Sequence, residues 1–487
     1  MLRSDGETPR RSAPARPSRP EAPDRWGLVL VAGGLSFLAM LDMSIVNLAL
    51  VDLAGDLRIS DGVAQWAVLG YQLPLVALLL PAGRWLDRVG TRPALRLAVA
   101  GFALAAVVAA AAPSAVVLIL ARVVQGGFGA VLFVLMPVLA MRSVRPGLRG
   151  RAMSVPATLG PLGAVLGPAL GGVLLDQLGW RAIFLVKLPV CLAAWLVARH
   201  QLPREGRLER PGRSELADAA AVGGAVAAVL LALTLATDRP AGLLVVALAV
   251  PPALYWLRRG GRPVRTVLRE NRTGGLNCAV LAVAAGFAAV HYLVALHLQR
   301  EGAAGATATG LTLLCFPLAM GLAGPVGGRL ADRFGARPTA TAGAALTALG
   351  FLLLVPVQDG WTLPDLAWRL ALAGAGTGLY GGPSQAMAMG SAAPAAMATA
   401  ASTVQLARSL GFALGPAVAT AVWSLAGPGA GPHPDTGLRV ALAVAAGGAC
   451  LAVPLLARHG SGAGGLTRSP DPDPGLGPGR AVRGQAR

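Results

Sequence analysis

The sequence predicts an all-α polytopic membrane protein: two parallel six-helix halves with two further helices inserted between them, fourteen transmembrane helices in all. Three observations predict it. The 487 residues are 55% hydrophobic and only 13% charged, with a mean hydropathy of +0.62, against roughly 25% charged in soluble domains. Apolar runs near the ~20 residues that cross a bilayer recur along almost the whole chain, separated by breaks that are alternately arginine-rich and arginine-poor. Blocks of sequence also recur at an offset near 247 residues, which marks a duplicated half.

In order, the expected spans are 26–50, 62–83, 93–112, 115–140, 152–175, 181–200, 216–237, 240–257, 275–299, 306–328, 338–357, 366–390, 397–426 and 437–457. Residues 1–25 are polar and rich in Pro and Arg, so no cleavable signal peptide is expected and the first span acts as its own address. They are expected to be a disordered cytoplasmic tail, followed by an amino-terminal half (26–213), two linker helices (214–272), a carboxy-terminal half (273–458) and a disordered cytoplasmic Gly/Pro/Arg tail (459–487).

The net charge of +19 does not form one basic patch, and nucleic acid is not an expected partner. Most of the 42 Lys+Arg fall in 1–25, 84–96, 142–151, 199–213, 258–272, 329–337 and 458–487, all on one side of the expected membrane. The opposite ends hold Arg58, Arg181, Arg239, Arg300, Arg369 and Arg439. The positive-inside rule then makes both termini cytoplasmic, which an even span count allows. The four cysteines, Cys191, Cys278, Cys315 and Cys450, lie far apart in apolar spans and read as small buried hydrophobes, with no metal cluster or disulfide framework. Lys187 is the single lysine, between Val186 and Leu188, so the G-K-[ST] ending of an ATP-binding loop is absent from the chain.

The repeat is explicit. GRWLDRVGTRP (83–93) matches GRLADRFGARP (328–338), and LGAVLGPALGGVL (162–174) matches LGFALGPAVATAV (410–422). Between them, Arg122 with Gly129 is echoed by Arg369 with Gly376. Because each unit begins on the same side, the halves are parallel repeats, an arrangement suited to a midplane site and rocking between them.

Within the first span, LDMSIVNLALVDL (41–53) sets Asp42 in a greasy run. Counting ~1.5 Å per residue, Asp42 lies ~12 Å below the arginine-poor end of its helix and Arg122, on the fourth span, ~10 Å below the same end. An unpaired Asp or Arg at a helix centre costs about 2.5–3.5 kcal/mol, so the two are expected to face one another. Either they form a static pair that only holds helices together, or Asp42 alternates between protonated and ionised forms as Arg122 approaches and withdraws. If protonation and substrate binding exclude each other, inward proton flow drives outward substrate flow.

Five motifs in order carry a family resemblance: LDMSIVNLAL (41–50), GRWLDRVGTRP (83–93), RVVQGGFGA (122–130), GPLGAVLGPALGG (160–172) and GWRAIFLVKLP (179–189). The chain resembles a major facilitator superfamily transporter, in its fourteen-helix drug:proton antiporter branch, over about residues 26–457. That resemblance implies the major facilitator fold and export of small hydrophobic drugs, antibiotics or secondary metabolites in exchange for protons. It implies no cofactor, no metal, and a monomer in the cytoplasmic membrane whose partners are substrate, protons and lipid.

Proton coupling falls to Asp42 and Arg122, and the substrate cavity to Asp42, Asn47, Gln125, Lys187, His291 and Arg408. Gly83, Asp87, Arg88, Gly90 and Arg92, with Asp332 and Arg333 in the repeat, match the cytoplasmic signature and form a gate in which Asp87 faces a helix N-terminus of the other half. Gly160, Pro161, Gly163, Gly167, Pro168, Gly171 and Gly172, echoed by Gly411, Gly415 and Pro416, form a pliable small-residue contact between halves.

Two positions depart from the family pattern. Lys187 stands where asparagine is usual, either snorkelling outward or favouring anionic or zwitterionic cargo, and Val51 stands where proline often follows the first motif. His291 lies ~12 Å deep in the repeat counterpart of the first helix, as a structural residue or a proton or substrate contact. Arg408 belongs to a gate or to the pocket. A proton-coupled importer and a non-transporting sensor are the alternatives. An enzyme is disfavoured by the lack of HExxH, of G-x-S-x-G and of a second deep carboxylate.

Overall fold

The computed structural model describes residues 24–203, 206–238, 240–270, 273–300, 306–357, 361–426 and 436–458; both expected tails, apart from Asp24 and Arg25, lie outside this range. Every described regular element is helical. The first half comprises α1 (Trp26–Leu48), α2 (Leu50–Leu57), α3 (Asp61–Ala64), α4 (Trp66–Arg88), α5 (Thr91–Ala110), α6 (Ala115–Arg142), α7 (Arg149–Leu178), α8 (Trp180–Leu185) and α9 (Leu188–Gln201). Between the halves lie α10 (Arg213–Asp238), α11 (Val250–Tyr255) and α12 (Arg262–Glu270). The second half is α13 (Gly274–Arg300), α14 (Ala306–Phe334), α15 (Ala336–Leu352), α16 (Leu363–Gly390), α17 (Met397–Ala426) and α18 (Thr436–Arg458).

The duplication in sequence is a duplication in packing. In the first half α1 packs on α7, α4 on α6 and α5 on α6; in the second, α13 packs on α17, α14 on α16 and α15 on α16. The halves meet through two equivalent contacts, α4 with α17 and α7 with α14. Large apolar side chains such as Leu30, Leu104, Val116, Leu120 and Leu322 stay exposed on the outer surfaces, as lipid-facing positions require. Prolines at 74, 81, 137, 317, 325, 383, 416 and 454 sit inside helices, tolerated in spans because neighbouring helices restore the freed backbone partners. The bundle reverses between α7 and α8 at Gly179, whose φ of 75° suits glycine. Just beyond, Trp180 Nε1 and Arg181 Nη1 donate to Asp56 at 2.9 and 2.8 Å. These bonds, Trp180's first, hold the Asp56 carboxyl below the usual carboxylate range.

The described residues do not confirm the count of fourteen. Among the described residues nine are long and apolar enough to cross a membrane, or ten if the bent α7 is counted. The clearest departure is the expected span 240–257. There the chain forms a 3₁₀ helix (Pro240–Ala249), the short α11 and a π turn (Trp256–Gly260). Pro251 and Pro252 supply no N–H to an α-helical ladder.

The small-residue stripe of α7 also differs from its expected use. Gly160 faces Ser36, Gly163 the carbonyl of Phe37, Gly167 Ser44 and Gly171 Ile45, all on α1 of the same half, while Gly172 meets nothing within 4 Å among the described residues. Gly411 and Gly415 likewise face Leu281 and Ala285 of α13. Contact between halves instead uses glycines of α14: Gly324 against Thr158, and Gly328 against Gly150 and Ser154. A stripe without side chains permits close approach but does not specify which neighbour takes it. The side chain of Pro168 lies outside the described residues, while Pro416 sits inside α17.

Candidate functional site

The site is a charge cluster at the centre of the first half. Asp42, Gln125 and Lys187 are 0% exposed and Arg122 is 1% exposed. Arg122 Nη1 donates to Asp42 Oδ2 at 2.9 Å and Oδ1 at 3.1 Å, and to Gln125 Oε1 at 2.7 Å. Its Nε donates to the Ala67 carbonyl at 2.6 Å, so α1, α4 and α6 all converge on one guanidinium. Tyr71 lies against it face-on, 4.5 Å from the ring centroid, and Phe184 lies 5.7 Å away.

Lys187 does not snorkel outward. It lies between α8 and α9 with its Nζ paired to Asp42 Oδ1 and 4.7 Å from the Phe184 ring centroid. One carboxylate therefore serves two cations. Among the described residues, two polar atoms, Tyr71 Oη and Gln125 Nε2, are buried here without a hydrogen-bond partner.

Other expected cavity residues stand apart from this cluster. Asn47 is exposed and bonds back to the Met43 carbonyl of its own turn at 2.8 Å. His291 bonds through Nδ1 to the Phe287 carbonyl at 3.0 Å and packs among Phe287 and Phe316 in the second half, while its Nε2 is buried without a partner among the described residues. Arg408 on α17 faces Gln385, whose amide oxygen, turned toward it, accepts from Nη2 at 2.8 Å. Cys191 is buried beside the site, whereas Cys278 is exposed on α13, unlike its expected burial.

At the arginine-rich end the halves are fastened by two matching clasps. Asp87, at the end of α4, accepts from the backbone N–H of Ala398 (2.8 Å) and Thr399 (3.0 Å) and from the Thr399 hydroxyl (2.6 Å), at the start of α17. Its repeat equivalent Asp332 accepts from the N–H of Gly150 (2.7 Å) and Arg151 (3.1 Å), at the start of α7. Each carboxylate meets unsatisfied N–H groups and the positive end of a helix. Gly83 lets α4 lie against Ser402 and Ala398.

The neighbouring arginines do other work. Arg92 donates to the Arg199 carbonyl at 2.9 Å, Gly90 lies beside Gly206 in its own half, and Arg333 is exposed, 5.2 Å from the Phe334 ring centroid. Arg84 and Arg88 pair with Asp218 and Glu215 of α10, so the inserted helix grips the clasp-bearing end of α4. Sequence reasoning missed this contact. Its signal is the 84/88 and 215/218 spacing, which puts each pair on one helix face. A cavity of about 710 Å³ opens beside it, lined by Arg25, Arg88, Arg92, Arg142 and Arg145.

The architecture is that of a multi-pass membrane protein closed at one end and carrying buried charge, the class to which membrane transporters belong. Comparison with known proteins sharpens this. The Major Facilitator Superfamily profile matches residues 32–416 and, again, 276–483. The chain is 31% identical over 404 residues to "Multidrug resistance protein Stp" of Mycobacterium tuberculosis, covering 80% of this chain and 74% of that one. It is 31% identical over 412 residues to "Puromycin resistance protein pur8" of Streptomyces alboniger, covering 82% and 81%. In fold it is similar, with a TM-score of 0.62 and 14% identity over 89% of this chain and 98% of the other, to a bacterial homologue of the iron transporter ferroportin in an outward-facing state. The chain belongs to the Major Facilitator Superfamily: it is a transporter of small molecules, not an enzyme.

Proposed function

We propose that the chain is a proton-coupled efflux antiporter of the cytoplasmic membrane, with both termini cytoplasmic. It exports small hydrophobic drugs, antibiotics or secondary metabolites by alternating access, as a monomer driven by the proton gradient without a cofactor. The observation that carries this reading is the buried Asp42–Arg122–Lys187 cluster. Charge held away from water in a span is costly and marks ion or proton pathways, and this cluster includes groups able to change protonation. The relatives named for multidrug and puromycin resistance support the cargo class and the outward direction.

With the arginine-rich end clasped shut, the proposed cycle admits protons from the opposite, external side. Protons enter there, alter the cluster's charge, and leave inside once the clasps part. A membrane potential of 100 mV adds about 2.3 kcal/mol per charge moved. The test is efflux of puromycin and a panel of hydrophobic antibiotics from cells expressing wild type, Asp42→Asn or Arg122→Ala, with and without an uncoupler. Wild-type efflux is expected to stop with the uncoupler and both variants to lose at least tenfold; uncoupler-insensitive efflux refutes proton coupling. Everted vesicles separate export from import by the direction of puromycin movement.

A further inference from the structure

We propose that Lys187, rather than Asp42, is the group that takes up and releases the transported proton, with Asp42 and Arg122 as the fixed ion pair against which it titrates. This rests on the proton-coupled reading above and assigns its carrier.

The first argument is the count of charges. Three charged groups share the site, two of them cationic, and the two oxygens of Asp42 already receive Arg122 Nη1 at 3.1 and 2.9 Å while Oδ1 also receives Lys187. Protonating Asp42 would strand two buried cations without a counter-ion, whereas removing a proton from Lys187 leaves a neutral, hydrogen-bonded Asp42–Arg122 pair. Arginine stays protonated in proteins, while a buried lysine changes state readily. The cluster therefore alternates most easily between +1 and 0, and the ammonium is the member that makes the change.

The second argument is position. Lys187 falls in the break between α8 and α9. Pro189 supplies no N–H to the Leu185 carbonyl, and the ladder resumes with Cys191 N–H donating to the Lys187 carbonyl at 3.1 Å. A broken turn is where a helix swivels at least cost, so the side chain can withdraw from Asp42 without moving α1 or α6. Phe184, on the α8 side of the break, covers both cations and travels with that swivel.

The surrounding groups leave the assignment to these three. Asp42 faces Lys187 from α1, Arg122 from α6 and Cys191 from its own helix; Tyr71 of α4 lies on Arg122. The helices packed on α8, α5 and α7, carry their charges (Arg92, Arg96, Arg149, Arg151 and Asp176) near their ends. The step is a proton transfer alone. An N–H bond of Nζ breaks, its electron pair stays on nitrogen and the proton passes to water on the cytoplasmic side; the reverse occurs on the external side.

Because Lys187 is the only lysine in the chain, ¹⁵Nζ-lysine labelling of the full-length protein, purified with a lysine-free tag, gives one side-chain signal. We expect that signal to pass from ammonium to amine before pH 10 is reached. In Arg122→Gln, where Asp42 and Lys187 alone remain, the pH dependence of the signal is expected to change. An ammonium signal unchanged to pH 10, or a ¹³Cγ-Asp42 signal that titrates across pH 5–9 while Lys187 does not, overturns the assignment. If Arg122→Gln fails to fold, the wild-type titration decides alone. Failure of the underlying reading looks different: uncoupler-insensitive wild-type efflux refutes proton coupling whatever Lys187 does, whereas a flat Lys187 signal beside uncoupler-sensitive efflux refutes only this carrier.

Discussion

Asp42→Asn is expected to abolish transport and to cause the largest loss of stability of any single change in the cluster. Among the described residues the carboxylate is the only anion paired with Arg122 and Lys187, and removing one partner from a buried ion pair costs about 3–5 kcal/mol because the other charge is left uncompensated. Lys187→Met should behave differently, since it leaves Asp42 and Arg122 as a neutral pair. In the double variant Asp42→Asn/Lys187→Met one of the two stranded cations is gone, so part of the lost stability returns while transport does not. The expected order of unfolding temperature in detergent is wild type close to Lys187→Met, then the double variant, then Asp42→Asn. An Asp42→Asn protein that melts with wild type would show that the carboxylate compensates nothing.

The second large effect belongs to the clasps. Hydrogen bonds to a charged group contribute about 1.5–3 kcal/mol each, and Asp87 accepts three while Asp332 accepts two from backbone. Losing a net ~1.4 kcal/mol from the closed state already shifts the balance tenfold. Asp87→Ala is therefore expected to populate the state open at the arginine-rich end at least tenfold more than wild type, and Asp87→Ala/Asp332→Ala more again.

Met153 is 0% exposed and its backbone lies against Gly382 of the other half. A cysteine placed there, in a background lacking the four native cysteines, reports the opening through labelling by an impermeant maleimide added from that side. Unchanged labelling in both variants would mean that the clasps do not hold the gate.

The gross architecture was readable because it follows from solvent alone. Apolar runs mark the spans, and the match between 83–93 and 328–338 marks the repeat. The facing of Asp42 and Arg122 was readable from depth, since both lie a similar number of helical rises from the same end. What escaped the sequence depends on rotation and partner choice. Depth does not say which way Lys187 points, because the break before Pro189 resets the helix face. A glycine stripe does not name its partner, and where contact between halves is expected Gly163 packs instead on Phe37 of its own half. Hydropathy counted 240–257 as a span although Pro251 and Pro252 interrupt its ladder, and it was blind to the grip of Glu215 and Asp218 on α4.

Proton coupling is tested most directly in everted membrane vesicles with an acidic interior, loaded with a pH-sensitive dye. Adding puromycin to vesicles carrying wild type should raise the internal pH as protons leave in exchange for drug, and vesicles carrying Asp42→Asn should show no such change. Puromycin accumulating in wild-type vesicles while the internal pH stays constant would contradict it.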